Sequence, residues 1–471
     1  MQLCDARDVS NRKSICQSSA VRSFLRVALF LSSFAALGSQ PSYAIPAFAR
    51  KYGLPCSACH IGWPILNVFG QQFRDNGYQI GNDRDSPIYQ NPAYWPITFR
   101  ITPNWHLESQ TKVAVDATAT TPAGERTINT TGFDLSGLDI WTAGTLYKNI
   151  SFSVLPSMAE GQTFHLENAW VRFDNLVHSP WLNLKVGKFE LDTLLSEKRF
   201  LTLSSVGGTW YNYQFLPQGD GNGFGGIGDN QIGVELAGHN KNSYARYSIS
   251  LLSSVDGNPG LTSGGQGGTA RTYDLYLHAN EGFQVKGLGV QRVGVFGYFG
   301  QSPTYFLSQT VAGVTTDLEA QGNKSFSRIG AYGWWFIKDF DLETFYLHGQ
   351  DNVYLGNSVP ANQPNLLPTG AAGPTWNGGF VEAHYAYSPQ LIFTGRYELV
   401  HMSRQANPAL LPNLGNVDSF TIGYRWYPIM FSRAGLAFHN EYAQAKMGNT
   451  SLLTNSDQTN RSLMIGFDFD Y

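Results

Sequence analysis

Residues 463–471 have the sequence Leu-Met-Ile-Gly-Phe-Asp-Phe-Asp-Tyr and end the chain. Apolar side chains occupy every second position of this stretch, and mostly polar or small residues fall between them. A strand with one face in lipid and the other toward a polar lumen has this period of two over about ten residues. The stretch therefore predicts a transmembrane β-strand at the end of the chain. Its aromatic ending also resembles the terminal strand that barrel-assembly machinery recognises.

The same alternation extends backward to residue 97. It is clear in Ile97–Thr102 and in Val381–Tyr387, where apolar and polar side chains take turns. Such segments begin near Ile97, Leu135, Ile150, Asn168, Leu182, Ile232, Tyr244, Thr272, Val293, Ser327, Leu342, Gly379, Leu391, Ser419, Ala434 and Leu463. Bacterial barrels contain an even number of strands. The pattern predicts a mainly β, porin-like transmembrane β-barrel of about 16 strands.

The connections between these segments alternate in length. Residues 148–149, 338–339 and 388–390 are short connections. The connections around 110–132, 193–230, 255–270, 306–324 and 353–374 are long and rich in Gly, Pro, Ser, Thr and Asn. Short periplasmic turns and long external loops give this rhythm, which predicts that both ends of the barrel lie in the periplasm. A soluble secreted β protein is the alternative, but the outward positions are apolar along the whole region.

Cys56-Ser57-Ala58-Cys59-His60 matches the C-x-x-C-H pattern of c-type haem attachment. The two thiols would each add to a haem vinyl group, and His60 would bind the iron as the axial, metal-ligating residue. A thioredoxin-like site would need a βαβ context, and a zinc site would need a fourth ligand. The motif therefore predicts one covalent haem c on Cys56, Cys59 and His60, with no further catalytic residue.

A short helix is predicted after the motif. Pro64 suits a first helical turn, Leu66, Phe69 and Phe73 share one face, and Gly77 suits the C′ position. The α-helical haem segment spans 45–90, which is too short to bury a core of its own. We expect it to lodge in or against the periplasmic mouth of the barrel.

The chain divides into a signal peptide (1–44), a monohaem cytochrome c segment (45–90) and an outer-membrane barrel (91–471). The first part combines basic residues, a short apolar run and a Ser-x-Ala cleavage site. A single membrane anchor is the alternative, although the run from Val27 to Leu37 is short for a span. The net charge of −3 gives no reason to expect a nucleic-acid partner.

The N-terminal segment resembles the fused monohaem cytochrome–porins of the bacterial outer membrane. The resemblance covers about 35 residues of the chain and rests on Ala47–Arg50, the Cys56–His60 motif, Pro64–Gly70, Phe73 and Asn76–Tyr78. The best-known members are ferrous-iron oxidases. The resemblance implies an iron:cytochrome oxidoreductase, anchored in outer-membrane lipid, that takes electrons from extracellular Fe(II) and passes them to a periplasmic cytochrome. A conduit for another extracellular redox partner, or a diffusion porin with a cytochrome plug, remains the alternative.

The sixth ligand of the haem iron is left open by the sequence. No methionine and no second histidine lies in the haem segment, so the ligand comes from the barrel, for instance from Met158, is an unusual residue, or is missing. The alternation also directs several ionisable side chains inward: Arg100, His106, Glu382, His384, Arg396, Glu398, His439 and Glu441. They form a solvated pore wall or, alternatively, guide a hard cation such as Fe(II).

Overall fold

The computed structural model describes most of the chain from Phe48 to Asp470. The described ranges are 48, 51–62, 65–80, 97–115, 124–158, 163–193, 195, 201–202, 206, 230–253, 273–303, 308–311, 313–317, 323–351, 367, 372–406, 411, 413–430, 435–451 and 453–470. The predicted signal peptide lies outside these residues, as do Pro64 and the end of the haem segment.

Sixteen antiparallel strands form a closed barrel. They are β3 (Ile97–Val115), β4 (Gly124–Tyr147), β5 (Ile150–Met158), β6 (His165–Phe173), β7 (Asn183–Glu190), β8 (Asn230–His239), β9 (Arg246–Ser253), β10 (Tyr273–Val285), β11 (Gly289–Pro303), β14 (Asn323–Ile337), β15 (Phe340–Gln350), β16 (Thr375–Ser388), β17 (Leu391–Arg404), β18 (Val417–Met430), β19 (Gly435–Met447) and β20 (Gln458–Asp470). The predicted last strand closes the barrel, because Ile465 pairs with Trp105 of the first strand. The predicted fold class is confirmed.

The two ends of the barrel differ in the lengths of the connections between strands. Seven short connections join strands at one end, which we call the turn end, and the barrel also begins and finishes there. The connections of ten or more residues all lie at the opposite, loop end; one carries a small hairpin of β12 (Ser308–Val311) and β13 (Val314–Asp317). This arrangement agrees with the predicted rhythm, in which the turn end would face the periplasm.

The outer surface of the barrel is apolar. Phe467 and Phe469 of the last strand are about 40% exposed, and Ile422 and Tyr397 are more than half exposed. Aromatic side chains gather near the turn end: Tyr147, Phe173, Trp181, Phe340, Tyr385 and Tyr387. An apolar band with an aromatic girdle is the exterior of a transmembrane barrel, because lipid contacts the outward side chains and the girdle lies at the headgroups.

Aromatic rings and glycines fit together on the inner wall. A Cβ atom on Gly294 would lie 2.3 Å from the Tyr332 ring, and one on Gly349 would lie 2.2 Å from the Trp376 ring. Tyr332 is the ladder partner of Gly294, and Trp376 is the ladder partner of Gly349, so each ring lies over the glycine opposite it on the neighbouring strand. The many glycines of the chain thus let large rings lie flat against the wall, as in sheets where an aromatic covers a neighbouring glycine.

After helical residues at 51–52, the described part of the N-terminal segment contains two short helices and a small hairpin. They are α1 (Cys56–Cys59), β1 (His60–Gly62), β2 (Ile65–Leu66) and α2 (Val68–Asp75). The prediction that the helix starts at Pro64 is wrong, since Ile65 and Leu66 pair with β1 and Asn67 is the N-cap of α2. None of the helices in the described part of the chain is long and apolar enough to cross a membrane.

The end of α2 agrees with the prediction. Gly77 has a φ of +75°, and its amide donates to the carbonyl of Arg74, while the Tyr78 amide donates to the carbonyl of Phe73. This pair of hydrogen bonds is the Schellman motif, in which a left-handed glycine satisfies the last carbonyls of a helix.

The connection between β7 and β8 differs from its prediction as an external loop. Its described residues enter the lumen, where Leu191, Leu195, Leu201 and Val206 are buried. Leu195 and Val206 belong to a cluster with Tyr276 and Phe296 of the inner wall. The apolar side chains of this connection explain its path, because they are removed from water inside the barrel. The described start of this long connection therefore lies inside the barrel.

Candidate functional site

A cavity of ≈ 310 Å³ lies between the N-terminal segment and the inner wall at the turn end. Cys59 and His60 both line it. Aromatic side chains from both sides form much of its wall, including Tyr52 and Phe73 of the segment and Trp141 and Trp170 of the barrel. A concave, largely apolar site with a few polar groups is typical of cofactor binding.

The structure brings two of the three predicted haem residues to this cavity. Cys59 ends α1 and His60 follows it directly at the start of β1. Burial raises the pKa of the Cys59 thiol to about 11, since the thiolate loses its solvation there. Cys56 starts the same helical turn, but its side chain lies outside the described part of the structure.

Asn67 holds the motif helix and α2 together. Its side-chain oxygen accepts a hydrogen bond from the Gly70 amide at 2.9 Å, which caps α2. Its side-chain nitrogen donates to the carbonyls of Ser57 (3.1 Å) and Ala58 (3.0 Å) within the motif. Its own amide donates to the carbonyl of Cys59 at 2.9 Å. A single asparagine thus fixes the distance between the motif and the following helix.

Gly70 permits the close approach of these two helices. A Cβ atom at this position would lie 2.1 Å from the carbonyl oxygen of Cys59, which is backbone and cannot rotate away. The helix can therefore cross the motif only where it carries no side chain. The glycine was part of the family resemblance, but its packing role needed the structure.

Stacked rings join the segment to the barrel wall. Phe48 stacks on Tyr78 with ring centroids 5.0 Å apart, and Tyr78 stacks on Trp170 at 6.3 Å. Trp141 meets Phe48 edge to face at 5.7 Å. Aromatic pairs in these geometries add to the free energy gained from apolar burial. The segment is therefore packed against strands β4 and β6.

A buried ion-pair network fixes the end of α2 in the lumen. Arg246 of β9 lies 2.9 Å from Asp75 of the segment and 2.7 Å from Asp192 of the inserted connection. Arg74 approaches Asp192 at 3.4 Å. All three members of the central network, Asp75, Asp192 and Arg246, are at least nine-tenths buried. One guanidinium thus links three separate parts of the chain.

The electrostatics of this network favour ionised carboxylates. Burial alone would raise the pKa of Asp75, but the charges of Arg246, His239 and Arg74 outweigh it and lower the pKa below its ordinary value. The same opposition of burial and Arg246, helped by His278, holds the pKa of Asp192 well below its usual range. Both carboxylates are therefore charged at neutral pH.

Hydrogen bonds to backbone carbonyls complete the attachment. Arg172 donates to the carbonyls of Arg74 (3.0 Å) and Asp75 (3.1 Å), so a cation lies at the negative end of the α2 dipole. Thr145, which is buried, donates to the carbonyl of Gly77 at 3.1 Å. These contacts come from strands β6 and β4 and are all made at the turn end.

The opposite side of the segment meets a different wall. Ile65 is buried in a cluster with Leu201, Trp334 and Ile392, and Ile61 packs against the same cluster. The indole of Trp334 donates to Asp341 Oδ1 at 2.9 Å. This ring therefore separates the hairpin that begins at His60 from a group of acidic side chains on β15 and β16.

The acidic group combines predicted and unpredicted residues. The alternation correctly placed Glu382, His384, Arg396 and Glu398 inside, where all four are buried, and His439 and Glu441 likewise. Asp341 and Glu343 join them because β15 pairs with β16 in a register that sets Asp341 opposite His384 and Glu343 opposite Glu382. Sequence reasoning missed these two residues, although Asp341 and Glu343 have the same spacing of two as Glu382 and His384.

The lining of the cavity bears on which barrel residues lie near His60. Among the described residues that line the cavity there is no methionine, so Met158 is not brought to it. His239 does line the cavity, and its Nδ1 lies 2.9 Å from the carbonyl oxygen of Asn240. A proton on Nδ1 would satisfy that carbonyl and leave Nε2 as a donor atom for a metal.

No protein-family model matches the chain, and no curated protein sequence matches it. Solved structures of outer-membrane β-barrels are similar to it in fold. OmpT of Vibrio cholerae is 12% identical with a TM-score of 0.45 and covers 80% of this chain and 98% of its own. OprB of Pseudomonas putida is 10% identical with a TM-score of 0.47 and covers 79% and 94%. The channel DcaP of Acinetobacter baumannii is 10% identical with a TM-score of 0.45 and covers 80% and 98%.

The strands of the chain itself therefore define its class. It is a porin-like, closed barrel of 16 strands with an apolar exterior. An N-terminal segment that contains the Cys59-His60 pair contacts the inner wall on two sides.

Proposed function

We propose that the chain is an outer-membrane electron conduit that oxidises extracellular Fe(II). In this proposal one haem c is held covalently by Cys56 and Cys59 and axially by His60. A haem transfers one electron at a time, so each Fe(II) becomes Fe(III), and a periplasmic cytochrome accepts the electron. The observation that carries the proposal is that Cys59 and His60 line an aromatic-walled cavity inside the barrel.

The residues of the cavity suit a haem. Two cysteines on one helical turn followed by histidine are the donor set of haem c. Phe73, Trp141 and Trp170 offer the apolar surface that a flat macrocycle needs. The attachment of the segment by Arg246 and Arg172 would hold the motif in a fixed orientation, because these contacts immobilise α2.

Location inside the lumen supports a role in electron transfer across the membrane. The hydrocarbon core of a bilayer is about 30 Å thick, so a haem free in the periplasm could not contact a donor outside. The contacts of the segment with Thr145 and Arg172 at the turn end support a position of the motif within the barrel. We retain the division into a signal peptide (1–44), a haem segment (45–90) and a barrel (91–471).

We propose His239 as the sixth ligand of the iron. It lines the same cavity as His60, and the contact of its Nδ1 with the Asn240 carbonyl would orient Nε2 for coordination, as second-shell hydrogen bonds do for metal-bound histidines. Electron paramagnetic resonance of the oxidised holoprotein should give a low-spin signal. His239→Ala should convert that signal to high spin, and an unchanged low-spin signal would assign the ligand elsewhere.

The deciding experiment is an anaerobic titration of the purified holoprotein with Fe(II) near pH 7, followed by the haem absorption bands. Reduction of the haem at rates lowered in His60→Ala supports the iron oxidase. If Fe(II) in excess leaves the haem oxidised while dithionite reduces it, the donor is another extracellular redox partner. If the exported protein has no covalent haem in a host with working cytochrome c maturation, the conduit itself is refuted.

A diffusion porin with a cytochrome plug is the second candidate, and the closed 16-stranded barrel favours it. Conductance in planar bilayers separates the two functions. A diffusion porin should pass small ions freely with the segment in place. The electron conduit should pass few ions, because the segment and the connection after β7 contact the inner wall.

A further inference from the structure

We infer that Asp341, Glu343 and His384 form a binding site for a divalent cation of the Mn(II), Fe(II) or Zn(II) class on the inner wall near the turn end. Their ligand atoms all lie within 4.8 Å of one another, and the three residues are buried. The inference goes beyond the proposed function, since it requires neither haem nor electron transfer.

The pairing of β15 with β16 explains why these three side chains lie close together. Asp341 and Glu343 are two residues apart on β15 and therefore face the same side of the strand. Asp341 lies opposite His384 in the ladder with β16. Three ligands from two paired strands form a rigid frame, which reduces the entropy that a loop site would lose on binding.

Glu343 provides the observation that points to a bound cation. It is only 2% exposed, and its Oε2 has no hydrogen-bond partner among the described residues. Leaving a carboxylate oxygen buried without a partner costs free energy, and natural sites usually compensate for it. A cation between Glu343, Asp341 and His384 would supply the missing interaction.

The charges around the site leave room for a cation. Four buried carboxylates, from Asp341, Glu343, Glu382 and Glu398, accompany one guanidinium, that of Arg396. Arg396 is already paired with Glu382 and Glu398, each at 3.1 Å. Within the described ion pairs, no arginine or lysine neutralises Asp341 or Glu343. A bound divalent cation would pair with the carboxyl oxygens of Asp341 and Glu343 that no described arginine or lysine reaches.

The histidine has the second-shell arrangement of a metal ligand. Its Nε2 lies 2.7 Å from Glu382 Oε1, and Arg396 in turn fixes Glu382. Its Nδ1 lies 2.8 Å from Asp341 Oδ1, and an ion would take the place of the proton in that contact. Carboxylate–histidine–metal triads of this kind orient the ring and increase its basicity as a ligand.

The donor set indicates the class of ion. Two carboxylates and one imidazole suit Mn(II), Fe(II) and Zn(II) better than soft ions, which prefer sulfur. Two ligand atoms bonded to one such ion at about 2.1 Å lie at most about 4.2 Å apart. Because the ligand atoms lie within 4.8 Å of one another, binding requires a side-chain adjustment of no more than about 0.6 Å.

The chain contains a matched control in a second buried histidine–glutamate pair. His439 Nε2 lies 2.9 Å from Glu441 Oε2, as in the proposed site. There, however, Arg425 donates to His439 Nδ1 at 2.9 Å and occupies the position where the proposed site has Asp341. A cation should therefore bind near His384 and not near His439.

The test uses Mn(II) as the probe and room-temperature electron paramagnetic resonance of the full-length holoprotein in detergent. The free Mn(II) signal should fall as about one ion binds per chain. Glu343→Gln should weaken binding at least on the order of tenfold, and the second-shell variant Glu382→Gln by about 10- to 100-fold. Glu441→Gln should bind Mn(II) like the parent protein.

Other results would overturn the site. A parent protein that binds no Mn(II), or a Glu343→Gln variant that binds it with unchanged affinity, would show that the group is a hydrogen-bonded structural cluster. Equal weakening by Glu441→Gln would assign the binding to general lumen charge. If Glu343→Gln does not fold, Asp341→Asn gives the same measurement. None of these outcomes depends on whether Fe(II) reduces the haem.

Discussion

The N-terminal segment meets two walls of the lumen that differ in chemistry. The first wall, from β4 to β9, offers it aromatic rings and the guanidinium groups of Arg172 and Arg246. The second wall, from β14 to β17, offers Trp334 and Ile392, with four carboxylates beyond Trp334. Arg172 and Arg246 of the first wall contact the segment. In the described contacts, the carboxyl groups of the second wall do not. The first wall therefore holds the segment, and the second wall carries carboxyl groups that the segment does not contact in the described hydrogen bonds.

The largest effect is expected from removing the central cation of the first wall. Arg246→Met should leave Asp75 and Asp192 buried without their main partner and destabilise the attached segment by about 3–5 kcal/mol. Trypsin cleavage at Arg74, followed by mass spectrometry over a range of urea concentrations, measures the free energy of opening.

The exposed Arg461 is the control for this substitution, and Arg461→Met should change the opening free energy by less than about 0.5 kcal/mol. If both variants are cleaved at the same urea concentration, the network does not hold the segment.

Close packing of the haem motif gives the next largest effect. Gly70→Ala would put a methyl group 2.1 Å from the Cys59 carbonyl oxygen, so α2 must move away from the motif. Overpacking of this kind costs about 1–3 kcal/mol. The same proteolysis experiment should show it, and Gly124→Ala, whose Cβ would meet no atom within 4 Å, should show none. Equal cleavage of the parent and Gly70→Ala would mean that the helices can separate freely.

The sequence predicted the strands of both walls better than the contacts between residues that lie far apart in the chain. Period-two alternation located sixteen strands and set Glu382 and His384 inside, because the inward face follows from the pattern alone. It could not join them to Asp341 and Glu343, since strand register depends on turns and packing far from these residues. The haem motif was equally visible, but the ion pair between Asp75 and Arg246 joins residues 171 positions apart and has no local signal.

Lowering the pH should weaken the ion pairs between the segment and the first wall before it weakens the aromatic contacts. Because the pKa values of Asp75 and Asp192 are lowered in the folded chain, their contribution is present above the ordinary carboxyl pKa and is lost as the pH falls through the lowered values. The groups that face them are Arg246, Arg74, His239 and His278. Each pKa unit corresponds to about 1.4 kcal/mol.

Opening measured between pH 7 and pH 5 should therefore be constant and should become easier only below about pH 4, near the ordinary pKa of aspartate. Pepsin can replace trypsin in the acid range. An Asp75→Asn variant should show a weaker dependence on pH, and a dependence that persists unchanged in it would assign the effect to other groups.

The smallest effect is expected from the loss of one hydrogen bond between the first wall and the segment. Thr145→Val keeps the shape of the side chain but removes the hydroxyl that donates to the Gly77 carbonyl. Because this carbonyl is next to the helix end and the threonine is buried, its loss should cost about 1 kcal/mol. Thr344, on the second wall, donates to the Gly333 carbonyl within the barrel and touches no residue of the segment in the described hydrogen bonds. Thr344→Val should therefore leave the opening of the segment unchanged, whereas Thr145→Val should shift it to lower urea. Equal shifts for the two variants would mean that the segment responds to general weakening of the barrel and not to the wall it contacts.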